Sequence, residues 1–472
     1  MAYADLREFI ADLEKSDELL SVPVGVDWKY EVSGWIRKSA DMRPKGPALL
    51  FENIKGYPRG YRLFAGGVAS YRRFAIALGL SAETPLKEII RTFRERIKNP
   101  RQPRMVNIGP VKENVLKGEA VDLLKFPVPW WTPRDGCLYI GTWHGNVTKD
   151  PETGSRNVGT YRVMVHDRNH AGVGFLPFSH LGSHYAKCER VGKPLEMAVV
   201  IGADETVPMV AGTGFPPGID EFTMAGALRE EPLELVKCET VDLEVPANAE
   251  IVLEGLILPR ERRPEGPIAE HTGYYAGGVR MRPVFEITAI THRNNPILRG
   301  TLLGRPTMED HIFYSVTVSA VAMQMFETQG PEGVTAVHCP PEGDSLMSAI
   351  IQMRPHYVGH SRNAARALIS SSVGRYAKYV IVVDPDIDPF DLGQVWWALT
   401  TRTQGSRDIE VIRFATTSRS DPSVPRDQAE YGDKVIIDAT KRMQKLIRDL
   451  LAFSRTGRVA KRREKVSPSE CA

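Results

Sequence analysis

Cysteine is scarce in this sequence, and the little there is forms no pattern. The five residues, Cys137, Cys188, Cys238, Cys339 and Cys471, are odd in number and widely spaced, with no CxxC pair. That excludes a disulfide framework and a cysteine-rich zinc site, and it predicts a reducing, cytoplasmic setting. Net charge is nearly absent too: 61 basic residues oppose 58 acidic ones, leaving +3. So even a balance gives no nucleic-acid footprint. Long apolar runs are missing, so no membrane span is expected. The opening MAYADLREFIADLEK carries acids and lacks the apolar stretch of a secretory signal. There is no internal repeat, no P-loop, no complete GxGxxG after a strand, and no Ser or Cys in a nucleophile-elbow setting.

What is present is ordinary for a soluble enzyme: 472 residues, 42% hydrophobic and 25% charged. That length predicts two or three domains. Residues 1–108 read as a small α/β unit. Its helical patterns are at Leu6, Ile10 and Leu13, at 32–40 and at 85–98, with strand-like runs at 19–23, 48–51 and 62–65. Asn99-Pro100-Arg101-Gln102-Pro103 is a linker by composition. From 109 to 308 short β-rich runs alternate with turns, the pattern of an antiparallel barrel or sandwich, with one helix near 222–228. From 309 to 440 helices and strands alternate, and Tyr379-Val380-Ile381-Val382-Val383 reads as a buried parallel strand. Residues 441–472 hold an amphipathic helix at 443–453, suited to packing on a partner subunit, and a basic tail.

The stretch with most chemistry is Glu265-Gly266-Pro267-Ile268-Ala269-Glu270, followed by His271. Two acids five apart diverge on a strand or a helix. They converge only if Gly266-Pro267 breaks the backbone. Converging carboxylates repel, and one is driven to hold a proton, which suits a proton donor. A solvated turn with two unrelated acids is the plainer alternative. Asn157, His180 and Glu221 make a fair ligand set for Mn²⁺ or Mg²⁺, although their spacing matches no compact metal motif and each could be structural. Arg162 sits among apolar residues, where a cation needs a partner: a structural acid, or a substrate carboxylate held bidentately. His271 and His360 have no partner that sequence identifies.

Several of these residues occur in one order and spacing: Asn157-x-x-x-x-Arg162, His180, Glu221-x-x-x-Ala225-Gly226-Ala227-Leu228, Val236-Lys237-Cys238, Pro246-Ala247-x-Ala249-Glu250-Ile251, the Glu265–Glu270 motif and Asp386-Ile387-Asp388-Pro389. In this the chain resembles the UbiD family of decarboxylases over nearly its full length, and most nearly the members that act on hydroxybenzoate-type acids.

The resemblance implies prenylated FMN in a central split β-barrel (109–308), between an N-terminal α/β domain and a C-terminal α/β oligomerisation domain. It implies a divalent metal, Mn²⁺ or Mg²⁺, held by Asn157, His180 and Glu221, and K⁺ at the phosphate. Arg162, Ser179 and Lys378 would also contact the cofactor, Lys378 at its phosphate. Arg162, Glu265 and Glu270 would be catalytic: Arg162, held by Glu265, positions the substrate carboxylate, and Glu270 protonates carbon from an apolar pocket. Carbon–carbon cleavage would be the cofactor's chemistry. The implied substrate is an aromatic or α,β-unsaturated acid, with CO₂ as co-product and, in reverse, as substrate. The implied partners are a flavin prenyltransferase and further copies in a homodimer or homohexamer. Two departures bear on the substrate: Ser179 where Gln is common, and Ile268-Ala269 where Phe-Gly is common. The alternatives are a split-barrel enzyme using ordinary FMN for redox work, and a non-catalytic subunit of a larger carboxylase.

Overall fold

The computed structural model describes residues 3–425 and 431–441. The expected helix at 443–453 and the basic tail lie outside the described residues. The first helix, Leu6–Lys15, shows how local sequence sets an element. The Asp5 side chain accepts a bond from the Glu8 N–H, and Leu6, Phe9, Ile10 and Leu13 bury one stripe.

The N-terminal sheet runs Leu19–Val22, Ala48–Phe51, Arg62–Ala65, Ile297–Arg299 in that order. The last strand comes from the end of the expected central block, so that block crosses back to complete the first sheet. A nine-stranded sheet forms the centre. Its main path runs Tyr139–Gly141, Val163–Val165, His170–Val173, Arg280–His292, Ile251–Glu265, Leu195–Ile201, His144–Lys149, Arg156–Gly159, with Asn114–Lys117 added beside Arg280–His292. Its two outermost strands do not pair, so no closed barrel forms among the described residues. Yet one outermost strand, Arg156–Gly159, is joined to Val163–Val165, the neighbour of the other, through residues 160–162 alone, which keeps Gly159 and Val163 within about 14 Å. The sheet therefore curls until its edges nearly meet. Side chains hold the crossing link: Asn146 Oδ1 accepts from the Tyr161 N–H at 2.8 Å, and His144 Nε2 bonds the Tyr161 carbonyl at 3.0 Å.

One helix was expected in this block; there are three, His180–Arg190, Thr206–Gly212 and Glu221–Arg229. The first is rich in His, Gly and Ser and carries a weak apolar stripe, so its periodicity is faint. The helix expected at 316–325 extends over Glu309–Gln329, with polar Ser315, Thr317 and Ser319 buried along it. Helix Tyr71–Ala77 was not foreseen. The C-terminal sheet runs Val334–His338, Ser348–Met353, Tyr379–Val383, Tyr431–Ala439, Ile409–Thr416. Its three middle strands are parallel, as the apolar run at 379–383 predicts. No helix among the described residues is long and apolar enough to cross a membrane.

A buried ionic knot ties the blocks together. Arg299 donates to Glu205 at 2.7 Å and to Glu309 at 2.6 Å, and Glu309 accepts from the Val68 N–H at 2.8 Å. Arg299, Glu205 and Glu309 are each at most 3% exposed.

Candidate active site

Glu265 ends the strand Ile251–Glu265, and the loop after it returns the chain to Arg280–His292. Gly266 makes the turn at φ +92°, and a Cβ there would lie 2.4 Å from the Gly278 carbonyl oxygen. The turn brings both acids to one guanidinium. Arg162 Nε and Nη2 donate to Glu265 Oε1 and Oε2 at 2.8 and 2.9 Å, and Nη1 donates to Glu270 Oε1 at 2.8 Å. Burial opposes the charge on Arg162, but Glu270 and Glu265 outweigh it and hold its pKa above the ordinary arginine value. The acids do converge, as the Gly-Pro bend predicts. Arg162 does pair with Glu265. Glu270, expected to face an empty apolar pocket, is instead bonded to the same cation.

A segment that sequence reasoning passed over braces this loop. Tyr139 Oη donates to Glu265 Oε1 at 2.9 Å, the Gly136 N–H donates to the Pro267 carbonyl at 2.8 Å, and Asp135 Oδ1 accepts from the Ala269 N–H at 2.9 Å. Burial, and then the Glu265 charge, push the Tyr139 hydroxyl well above its ordinary pKa, so it stays a donor. Arg134-Asp135-Gly136 reads in sequence only as a turn.

Arg162 and His271 line a cavity of about 210 Å³, together with Thr160, Ile268 and Tyr314. A larger cleft of about 710 Å³ is lined by Arg134, Tyr274, Val279 and Ser418. None of Arg162, Glu265 or Glu270 lines the larger one, so the smaller cavity is the candidate site.

Asn157, His180 and Glu221 come from a strand and two helix starts. His180 Nδ1 lies 3.0 Å from Asn157 Oδ1, and Glu221 Oε2 accepts from the adjacent Val158 N–H at 2.7 Å. Burial pushes the Glu221 carboxyl up to about 8. The Asn157 amide nitrogen is buried without a partner. Burial, and then Arg375, lower the His180 pKa, which favours the neutral imidazole that a metal needs. Among the described residues no three His, Cys, Asp or Glu side chains cluster as a metal site. His180 and Glu221 supply two such donors, and the Asn157 amide would be the third. A carboxyl forced up by burial, with no cation bonded to it among the described residues, is chemically suited to a hard divalent ion.

Ser179 is the N-cap of helix His180–Arg190, its Oγ accepting from the Gly182 N–H. Lys378 is engaged within the C-terminal block, donating to Asp421 Oδ2 at 2.9 Å and to Ser423. The basic group felt by His180 is Arg375, whose guanidinium lies over Phe178; no sequence motif singled it out. His271 finds a partner in Asp344, with Nδ1 2.9 Å from both carboxylate oxygens. His360 accepts from the His356 N–H and stacks on Tyr357. Asp386 and Asp388 pair with Arg402 and Lys87, away from Arg162.

Comparison with known proteins shows the family and its three-domain architecture. Models of the 3-octaprenyl-4-hydroxybenzoate carboxy-lyase N-terminal, Rift-related and C-terminal domains match residues 10–93, 104–306 and 311–439. The closed form of the vanillic acid decarboxylase of Sedimentibacter hydroxybenzoicus is 34% identical, with TM-score 0.87 over 93% of each chain. The UbiD-class enzyme HmfF from Pelotomaculum thermopropionicum, in complex with FMN, is 36% identical, with TM-score 0.83 over 93% of this chain and 94% of that one. An evolved dimeric form of HmfF holding prFMN is 34% identical, with TM-score 0.81 over 94% and 96%. The chain belongs to the UbiD family of carboxy-lyases.

Proposed function

We propose that this protein reversibly decarboxylates an aromatic or α,β-unsaturated acid with prenylated FMN, using Arg162, Glu265 and Glu270 as its catalytic set. The observation that carries this reading is one guanidinium shared by two buried carboxylates beside a cavity. Arg299 is also shared by two acids, but it is sealed in the core, whereas Arg162 opens onto a cavity that can admit an acid. Asn157, His180 and Glu221 would hold a divalent metal, Mn²⁺ or Mg²⁺, at the cofactor, with Ser179 at the start of the adjoining helix and K⁺ and Lys378 toward the phosphate. When bound, the prenylated flavin supplies the electron sink for carbon–carbon cleavage.

The chain's own residues orient the acid and move the proton. Glu265 fixes the plane of Arg162 through two parallel bonds. The Nη1 donor, now on Glu270, is the one a substrate carboxylate can take. Two carboxylates beside one cation repel, so the incoming acid favours a proton on Glu270. After CO₂ leaves, Glu270 delivers that proton to the carbon, and Arg162 returns to both acids. The same set runs carboxylation at high CO₂.

The test is a screen of aromatic and unsaturated acids for CO₂ release by the protein co-produced with a flavin prenyltransferase. Glu270→Gln is expected to abolish turnover and solvent-deuterium exchange into product while keeping the flavin. Full activity in that variant removes Glu270 as the acid. Unmodified FMN with hydride transfer and no CO₂ release overturns the whole reading. Turnover only with added partner subunits favours a component of a larger carboxylase.

A further inference from the structure

A third carboxylate lines the cavity of Arg162, and the proposed mechanism leaves it unused. Asp310 is the second residue of the long helix Glu309–Gln329 and lines that cavity with Arg162 and Tyr314. Its side chain is only 6% exposed, and neither Oδ1 nor Oδ2 has a hydrogen-bond partner among the described residues. His311 Nδ1 lies 3.2 Å from Oδ1 but accepts a bond from the Met308 N–H at 3.0 Å, while its Nε2 bonds the His271 carbonyl at 2.8 Å. That pattern assigns the neutral Nε2–H tautomer, with no proton to offer Asp310. Burial lowers the His311 pKa, but Asp310 beside it and then Asp344 outweigh burial and raise it; even so, only the unprotonated Nδ1 can accept the Met308 bond. The cavity presents one more free acceptor, Nδ1 of His144: Nε2 bonds the Tyr161 carbonyl, and burial lowers the ring to about 4 and keeps it neutral.

A buried carboxylate without a donor is unfavourable, and the helix N-terminus next to it offsets that only in part. A ligand that brings an O–H or N–H restores the missing bond. A ligand that brings an ether oxygen or a second carboxylate cannot, and the second carboxylate is repelled as well.

We infer that Asp310 is a specificity-determining residue: it accepts a hydrogen bond from a ring substituent, so the acid turned over carries a hydroxyl or amino group rather than an ether or a second carboxylate. This rests on the decarboxylase reading above. Arg162 holds the reacting carboxylate, and Asp310 selects what else the ring carries.

The experiment compares the reconstituted full-length protein with its Asp310→Leu and Asp310→Asn variants. Each is assayed on benzoate and on the hydroxy-, amino-, methoxy- and carboxy-benzoates, by CO₂ release and by calorimetric affinity. The wild type is expected to favour a hydroxy or amino isomer over the matching ether and diacid by at least about tenfold in kcat/KM. Asp310→Leu matches the shape and removes the acceptor, so the ratio should fall to within about threefold. Asp310→Asn keeps a carbonyl acceptor and should restore a preference for donors, with the diacid rejected less strongly. Acids turned over without such a preference, or a preference that survives in Asp310→Leu with a normal melting temperature, overturns the role of Asp310 and leaves the decarboxylase reading standing. Release of CO₂ from none of these benzoates overturns the role of Asp310; release from none of the unsaturated acids of the wider screen as well overturns both.

Discussion

At the scale of single residues the site depends on what a planar guanidinium does that an ammonium cannot. Arg162 makes three bonds to two acids. Arg162→Lys keeps the charge and loses that fork, so kcat/KM is expected to fall at least about 100-fold through misplacement of the substrate carboxylate, with flavin content unchanged. Steady-state kinetics beside the flavin spectrum checks it. Glu221→Ala should lower bound metal and flavin together, read by elemental analysis and absorbance; normal loading of both would remove Glu221 from the metal site. These residues were legible in the sequence because their types and order are unusual. Tyr139 and Asp135 were not, because a tyrosine in an apolar run and an Asp-Gly turn are common everywhere. Only the fold shows that both lean on the acid loop.

Among the elements, that loop is the connection of a long hairpin, gripped from both sides. On one side is the 135–139 segment. A Cβ on Gly136 would sit 2.0 Å from the Gly266 carbonyl oxygen, so Gly136→Ala must push the two loops apart. It is expected to cost about 1–3 kcal/mol in denaturant unfolding and to lose activity with it. On the other side is the His271–Asp344 pair, which fixes the loop to the C-terminal block. Burial disfavours charge on His271, but the Asp344 bond outweighs it and raises the pKa, with Asp310 and Glu270 adding to the pull. A raised histidine contributes stability that is fully present below its unfolded value of about 6.5 and is lost as pH rises through the folded value. Asp344→Asn should therefore lower the melting temperature more at pH 6 than at pH 9; an equal drop at both would show that the pair is not charged. Helices with a clean apolar stripe, such as Leu6–Lys15, were readable. His180–Arg190 was not, since tertiary packing rather than its own periodicity holds it.

For the whole molecule, the knot at Arg299 joins the N-terminal sheet, the central block and the long helix. Arg299→Met leaves Glu205 and Glu309 buried without their cation, and unfolding free energy should drop by about 3–5 kcal/mol in urea titration. A smaller loss would mean that water or a rearranged partner satisfies the two acids. The sequence by itself determined the family-like order of motifs, the alternation of element types and the pairing of two acids across a Gly-Pro bend. These are local: composition, periodicity and backbone preference act within a few residues. Tertiary structure alone decided that strand Ile297–Arg299 completes the first sheet, that the central sheet curls without closing, and that Glu270 shares Arg162 with Glu265. It alone also set Asp310 on the cavity of Arg162 without a donor among the described residues. Those facts depend on residues more than a hundred positions apart, and only the burial of many side chains at once brings them together.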